Sequence, residues 1–269
     1  MFATSTAAGN APHVVDIGAA AFALSAHASV LARRPDDVSY VVGAIDKLAD
    51  GVDSIDQWRQ RLFVDAGFTG NGAEYHDARN SFLPDVLRRR LGLPITLALV
   101  GRLVAERVGL VAWGIGVPGH FLLGIGVPGT DVGDWSSPHS EIVDAFHGGQ
   151  AMTIDDVEHQ FRSMFGVNHR FSIEMMHAVS DDQFLVRMLN NLKSNYARDK
   201  NIPGLCAVAR MRTCLPGWTL DEGRELVRLL TAEGTLDEAT TVLDALVDRF
   251  PFNDEVLEDE RVRLASRLN

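Results

Sequence analysis

Three features of the sequence suit nucleophilic attack on a carbonyl group, by their residue types and by the order in which they follow one another. An apolar segment begins at Pro94, with Thr96 in its first turn. His120 opens a later apolar segment, and Asp144 lies near the end of the next one. A helix N-terminus carries positive partial charge and lowers the pKa of a nucleophile placed there. A histidine can take the proton of that nucleophile, and a carboxylate beyond it can fix the tautomer of the ring.

The elements that must position these residues are a buried helix and three strands. Residues 95–108 are apolar on nearly every side, which predicts a helix in the middle of a domain. Short runs rich in Gly and β-branched residues then predict antiparallel strands at 110–117 and 119–127, with a third at about 140–146. The first two contain Gly-Ile-Gly-Val-Pro-Gly, which fits a tight turn. A phosphate-binding loop is not expected there, because no Lys-Ser/Thr follows and Pro removes an N–H group.

Helices are predicted on both sides of these strands. Periodicity and turn residues predict four earlier helices, at 19–31, 38–48, 54–64 and 82–90. A further helix follows Thr153, and residues 171–177 fit a strand or a loop equally well. The remainder is predicted as helix. Capping boxes, in which two side chains satisfy exposed N–H groups reciprocally, predict starts at Ser180–Gln183, Thr219–Glu222 and Thr235–Glu238.

The C-terminal helices show a period of 34 residues. Leu192 and Tyr196 match Leu226 and Leu230 at this spacing. Stacked helix pairs with this period are typical of tetratricopeptide repeats, whereas a plain helical bundle needs no period. From the residues alone, both alternatives stay open.

Four ordered motifs surround the candidate residues, at 75–83, 89–97, 119–121 and 143–149. The last three hold Leu-Gly-Leu-Pro-Ile-Thr, Gly-His-Phe and Val-Asp-x-Phe-x-Gly-Gly. Together they resemble the signature of the SirB-type transglutaminase-like family. The resemblance implies an α+β, papain/transglutaminase-like core, in which a central buried helix packs against a small antiparallel sheet. It also implies an all-α, tetratricopeptide-like helical region after that core.

The resemblance further implies where a nucleophile would stand. In catalytic transglutaminase-like enzymes a Gly-x-Cys opens the buried helix, and alignment of the glycines puts Pro94 at the position of that cysteine. His120 and Asp144 match the other two triad positions. The actual cysteines, Cys206 and Cys214, both lie in the helical tail. A thiolate mechanism is therefore not expected.

Each candidate residue also has a structural alternative. Thr96 is either a weak nucleophile or a hydroxyl that bonds a backbone group in the first helical turn. His120 is either a base or a buried imidazole that ties two strands together through Asp144. Asn80 and Ser81 either begin a helix or line the same cleft as His120. The residues expected along that cleft are Asn80, Ser81, Pro94, Gly119 and Phe121.

A metal site is not expected from the sequence. His120, His139, His147 and Asp144 are possible ligands, but nothing resembles His-Glu-x-x-His spacing. We therefore expect neither a metal nor a cofactor.

Charge and composition exclude several classes of partner. The 269 residues hold 25 Lys and Arg against 36 Asp and Glu, a formal net charge of −11, so nucleic acid and anionic membranes would repel the chain. Two cysteines make no disulfide framework, and no apolar run approaches the roughly 18 residues that span a bilayer. We expect a cytoplasmic protein with a flexible tail at 1–16, a core with N-terminal helices at 17–168 and a helical region at 180–269.

Two functions of different classes remain. The first is a non-catalytic, protein-binding or regulatory module, whose C-terminal helical region contacts a partner protein. The second is an acyl-transfer enzyme, an amide hydrolase or transamidase, in which Thr96 or an activated water attacks a carbonyl with help from His120 and Asp144. The missing cysteine favours the first.

Overall fold

The computed structural model describes residues 17–31, 38–134 and 137–268. The tail that the sequence predicts to be flexible, 1–16, lies outside these residues. Within them the chain forms eleven α-helices and seven strands. The predicted α+β class, with an all-α C-terminal region, is confirmed.

A five-stranded antiparallel sheet forms the centre of the first region. Its strands are β3 (Val111–Val117), β4 (His120–Gly126), β5 (Ser140–Asp144), β6 (Gln150–Met152) and β7 (His177–Ala178). Their order across the sheet is β6-β5-β4-β3-β7. The first three agree with the predicted strands to within two residues. The segment that fitted a strand or a loop equally contains a short helical turn, Ile173–Met175, followed by the edge strand β7.

The β3–β4 hairpin and the β4–β5 pairing bring the two candidate side chains together. His120 opens β4 opposite Val117, after a turn in which Gly119 has a φ of +75°. Leu123 pairs with Val143 in β5, so one step further along the register Asp144 lies diagonally across from His120 on the same face. Diagonal neighbours on one face of a sheet are within reach of long side chains.

The predicted buried helix is α5 (Pro94–Arg107), which packs against β3 and β4. Its close approach requires Gly101, because a Cβ there would lie 2.8 Å from Cδ2 of Leu123. The carbonyl of Gly101 also accepts a 2.9 Å hydrogen bond from Nε1 of the fully buried Trp58. These contacts hold the middle of α5 against β4, the central strand that carries His120.

Five further helices and several short elements surround this core. The helices are α1 (Ile17–Leu31), α2 (Val38–Ala49), α3 (Ile55–Arg59), α4 (Leu83–Arg89) and α6 (Ile154–Phe165). The helix predicted at 54–64 is α-helical only in α3 and widens into a π-helical turn over Gln60–Asp65. A 3₁₀ turn, Ala78–Ser81, precedes α4. Two strands of two residues each, β1 (Thr69–Gly70) and β2 (Leu91–Gly92), pair in parallel and were not predicted.

Five helices complete the chain: α7 (Asp181–Arg198), α8 (Ile202–Cys214), α9 (Leu220–Glu233), α10 (Leu236–Arg249) and α11 (Asp254–Leu268). The first residues of α8 and α10, and those of α9 and α11, are 34 positions apart (236 − 202 and 254 − 220). This spacing agrees with the period in the sequence, while the tetratricopeptide assignment stays a prediction. Helix α7 contributes Phe184 and Met188 to the core of the sheet region, so the two regions share it.

Two of the three capping boxes predicted from local sequence form in the structure, and one does not. The capping boxes at Ser180 and Thr219 form as predicted. The box predicted at Thr235 is wrong, since the Thr235 hydroxyl donates to the Leu230 carbonyl and Glu238 instead binds Arg210. A charged hydrogen bond to the guanidinium outweighs the cap. In the described part of the chain, none of the helices is both long enough and apolar enough for a membrane span.

Candidate functional site

One carboxylate organises the side chains at the end of β4 and β5. Oδ2 of Asp144 accepts from Nε2 of His120 and from Nδ1 of His147, each at 2.8 Å. Its Oδ1 accepts the backbone N–H groups of Phe146 and His147 at 3.0 and 3.1 Å. The side chains of Asp144 and His120 are 2% and 8% exposed, whereas that of His147 is 53% exposed. The pair is therefore held in a fixed geometry beneath the surface.

The pKa of Asp144 determines which ring nitrogen of His120 carries the proton. Burial raises the pKa of Asp144, but the hydrogen bonds and charges of His120 and His147 outweigh burial and lower it from 3.8 to about 2. The carboxylate is thus ionised at neutral pH and can only accept hydrogen bonds. Nε2 of His120 must donate, which leaves the lone pair of the neutral ring on Nδ1. This tautomer suits an acceptor or a general base.

His120 opens onto a cleft of about 290 Å³ between the start of α5, the β3–β4 turn and α7. The residues that line it are Tyr75, Pro94, Ile95, Gly119, His120, Phe121, Arg187, Asn190 and Asn191. We call this space the cleft. Pro94, Gly119 and Phe121, which the sequence predicts for it, lie along its wall, and Asn80 and Ser81 do not.

The lining residues on α7 were missed by the sequence analysis. Arg187, Asn190 and Asn191 are spaced i, i+3 and i+4, which places them on one face of a helix. The opposite side of α7 is apolar and packs into the core. A polar cluster at this spacing could have marked one face of α7 as a candidate binding surface. Its proximity to His120, more than 60 residues earlier in the chain, could not be found from local sequence.

Among the hydrogen bonds of the described residues, Thr96 makes none with His120. Its hydroxyl is fully buried, donates to the carbonyl of Asn80 at 2.6 Å, and accepts the N–H of Leu93 at 3.0 Å. A hydroxyl has one proton, and here a carbonyl holds it. These are the backbone hydrogen bonds that the structural alternative expects of Thr96, and a catalytic role for Thr96 stays a prediction.

Asn80 and Ser81 lie behind the cleft rather than along it. The fully buried amide of Asn80 donates to the carbonyls of Glu74 and Tyr75 and accepts from Asn71, so it holds the loop that presents Tyr75. Ser81 is buried, and its hydroxyl has no hydrogen-bond partner among the described residues. The cap of this turn is Asp77, which accepts the N–H of Arg79.

The comparisons with known proteins agree with this architecture. The family model described as the transglutaminase-like superfamily matches residues 23–190, which is more than half of the chain. The chain belongs to this superfamily. The match includes α5, the strands that carry His120 and Asp144, and most of α7. The narrower SirB-type assignment stays a prediction.

Two kinds of curated relative are similar to this transglutaminase-like chain. A UPF0162 protein of Xylella fastidiosa is 32% identical over 163 residues, which cover 57% of this chain and 55% of that protein. F-box only protein 21 of Homo sapiens is 27% identical over 144 residues, which cover 52% of this chain and 21% of that protein. The matches thus span about half of the bacterial relative and a fifth of the human one. No solved structure is significantly similar to the chain.

Neither cysteine of this transglutaminase-like chain lies along the cleft. Cys206 is buried in the C-terminal helices, where burial and the neighbouring Glu233 raise its pKa to about 12. Cys214 is exposed near the end of α8 and donates to the Arg210 carbonyl at 3.4 Å. Pro94 occupies the first turn of α5, where its missing N–H costs no helical hydrogen bond.

The His120–Asp144–His147 group could also supply metal ligands. One donor atom from each residue lies within 4.8 Å of the others, and two histidines with a carboxylate suit several divalent transition metals. The same atoms are hydrogen-bonded to one another, so a metal would have to displace two ring protons. His139, the fourth possible ligand in the sequence, is exposed in the loop before β5 and is outside this group.

Proposed function

We propose that this protein is a transglutaminase-like module without a catalytic cysteine, which binds its ligand in the cleft and does not cleave it. The observation that carries the proposal is Pro94 in the first turn of α5, on the wall of the cleft that His120 faces. Proline has no side-chain nucleophile.

No other lining residue supplies a strong nucleophile. Among the described residues along the cleft, only Tyr75 has a hydroxyl, and none has a thiol. Burial raises the pKa of Tyr75, so its phenol stays protonated at neutral pH. A protonated phenol is a poor nucleophile and a good hydrogen-bond donor.

The His120–Asp144 pair then acts in recognition. Because Asp144 holds the ring in one tautomer and one orientation, Nδ1 of His120 is a preorganised hydrogen-bond acceptor. Tyr75 and the amides of Asn190 and Asn191 add donors along the same cleft. A short peptide or another amide ligand offers matching N–H and C=O groups.

A screen for hydrolysis and transamidation tests this proposal. Amides, esters and thioesters are offered to the wild type and to His120→Ala under the same conditions. We expect both proteins to give the uncatalysed rate. A wild-type rate well above that of His120→Ala would refute the non-catalytic assignment.

The alternative is a hydrolase that activates water, and the intact His120–Asp144 pair is the observation that favours it. Nδ1 of His120 carries the lone pair that a general base requires, and the N–H groups at the start of α5 could hold an oxyanion. This alternative predicts that His120→Ala loses the catalysed rate. It also predicts that no covalent intermediate forms on the protein. The same screen therefore separates the two candidates.

We also propose that the C-terminal helices bind a partner protein. Residues 219–269 hold 13 acidic against 6 basic side chains, so a basic or mixed-charge partner is favoured. Asp244 and Asp248 are exposed on one face of α10, four positions apart. Reversal of both to Lys should abolish capture of a partner from native extracts, while reversal of the exposed Asp50 and Asp53 should not. Equal capture by both variants would contradict this part of the proposal.

A further inference from the structure

We infer that the cleft binds a carboxylate group, and that the guanidinium of Arg187 is its receptor. The inference rests on the proposal that the cleft is a ligand site, and it names the chemical class of the ligand. It is carried by the position of Arg187, by the absence of a counter-charge, and by the side chains around it.

The chain makes room for this guanidinium against the sheet. Arg187 is half-buried on α7, and its Cζ lies 5.3 Å from the centre of the Phe121 ring. A Cβ at Gly116 would lie 2.5 Å from Nη1 of Arg187, so the guanidinium occupies space that this glycine in β3 leaves open. The guanidinium thus lies over an aromatic ring, and Arg187 is also one of the residues that line the cleft.

Arg187 has no carboxylate partner within the described residues. Several other half-buried arginines pair with an acidic side chain: Arg102 with Asp181, Arg210 with Glu238 and Arg212 with Glu222. The guanidinium of Arg187 lies over the ring of Phe121 instead. Arg90 also has no ion pair in the described part of the chain and lies over the ring of Phe68, but unlike Arg187 it does not line the cleft. Burial lowers the pKa of Arg187, yet a guanidinium stays charged at neutral pH. A partly desolvated cation without a partner gains free energy when an anion binds.

The surroundings of Arg187 favour an anion of modest charge. Asp144 is the carboxylate of the site, and its two oxygens already accept hydrogen bonds from His120 and from the backbone N–H of Phe146. Asn190 and Asn191 add neutral donors beside the guanidinium. The planar fork of one arginine matches the two oxygens of a carboxylate. A phosphate dianion would call for more than a single cation.

The test compares two small probes that differ in one group. N-acetylglycine ends in a carboxylate, and N-acetylglycinamide has the same size without the charge. Each is titrated into the full-length protein, and the NMR signals of the His120 ring and of the methyl groups along the cleft report binding. Acetate and inorganic phosphate are titrated in parallel.

The matched variants are Arg187→Gln and Arg198→Gln. Arg198 is exposed at the end of the same helix, so the second variant removes the same charge away from the cleft. We expect N-acetylglycine to bind the wild type at least about tenfold more tightly than its amide, as for a hydrogen bond to a charged group. Arg187→Gln should lose this preference, and Arg198→Gln should keep it. Arg187→Lys, which retains the charge and the contact with the ring but not the fork, should bind the acid with intermediate affinity.

Each outcome decides the inference. Equal binding of acid and amide, an unchanged preference in Arg187→Gln, or no binding by any carboxylate overturns it. Tighter binding of phosphate than of acetate overturns the carboxylate class. If the inference holds, N-acetylglycine binding more tightly than acetate indicates the C-terminus of a peptide, and equal affinities indicate a free carboxylic acid. If the amide binds the cleft as well as the acid does, the inference fails while the proposed ligand site stands.

Discussion

Replacement of Asp144 by Asn tests the network that holds His120. Asparagine has nearly the same shape, and its oxygen can keep the bonds from the N–H groups of Phe146 and His147. Its NH₂ group then replaces the oxygen that accepts from both imidazoles. The NH₂ group of Asn and the N–H group at Nε2 of His120 are both donors and cannot bond to each other. The His120 ring must therefore rotate, or its proton must move to Nδ1. The substitution should therefore reduce both stability and ligand binding.

The size of the stability loss follows from the pKa of Asp144. The folded protein holds the pKa of Asp144 at about 2, against 3.8 for an aspartate in its ordinary surroundings. At 1.36 kcal/mol per unit, the ionised carboxylate contributes about 2 kcal/mol to the free energy of unfolding at pH 7. Because the pKa is lowered in the folded state, this contribution is complete above pH 4 to 5 and is lost as the pH falls toward 2. About half of it should remain at pH 3.

Urea denaturation of the wild type and of Asp144→Asn at pH 7 and pH 3 measures this difference. We expect the variant to be less stable by about 2 kcal/mol at pH 7, and the gap to narrow by about half at pH 3. The exposed Asp50, changed to Asn, is the control and should alter stability little. A gap below about 0.5 kcal/mol at pH 7, or one that does not narrow with acid, would refute the reasoning.

Three further predictions concern other parts of the chain. In the native protein a thiol reagent should modify Cys214 and spare Cys206, because Cys206 is buried and its pKa is about 12. Two fast-reacting thiols per chain would contradict the structure. Trp58→Phe should lower the free energy of unfolding by about 1–2 kcal/mol, because the bond to the Gly101 carbonyl is lost; unchanged urea denaturation would argue against that bond. Glu260→Gln should lower the free energy of unfolding by about 3 kcal/mol, because this buried carboxylate binds three arginine side chains. A loss under about 1 kcal/mol in urea denaturation would contradict the importance of these ion pairs.

Local signals were sufficient for much of the fold. The change from helical to alternating periodicity marked the β3–β4 hairpin, and Val-Pro-Gly marked its turn, because both depend on residues close in sequence. The uniformly apolar segment after Pro94 indicated a buried helix for the same reason. The resemblance of the four motifs supplied the pairing of His120 with Asp144.

Long-range contacts account for what the sequence analysis missed. Glu238 leaves the cap of Thr235 because Arg210, 28 residues earlier, competes for it. The edge strand β7 is two residues long and exists through its pairing with β3. Arg187 reaches the cleft because α7 packs beside β4, which no local pattern could indicate.

The most direct test of the account is covalent trapping in the cleft. The wild type and Pro94→Cys are incubated with a thiol-reactive peptide electrophile and with an activated acyl ester, and each adduct is located by mass spectrometry of the peptides. We expect Pro94→Cys to react at residue 94 faster than at the exposed Cys214, since its thiol would sit at the N-terminus of α5 on the cleft that His120 faces. The wild type should carry no adduct on any residue along the cleft. An acyl group found on a wild-type cleft residue would contradict the central claim.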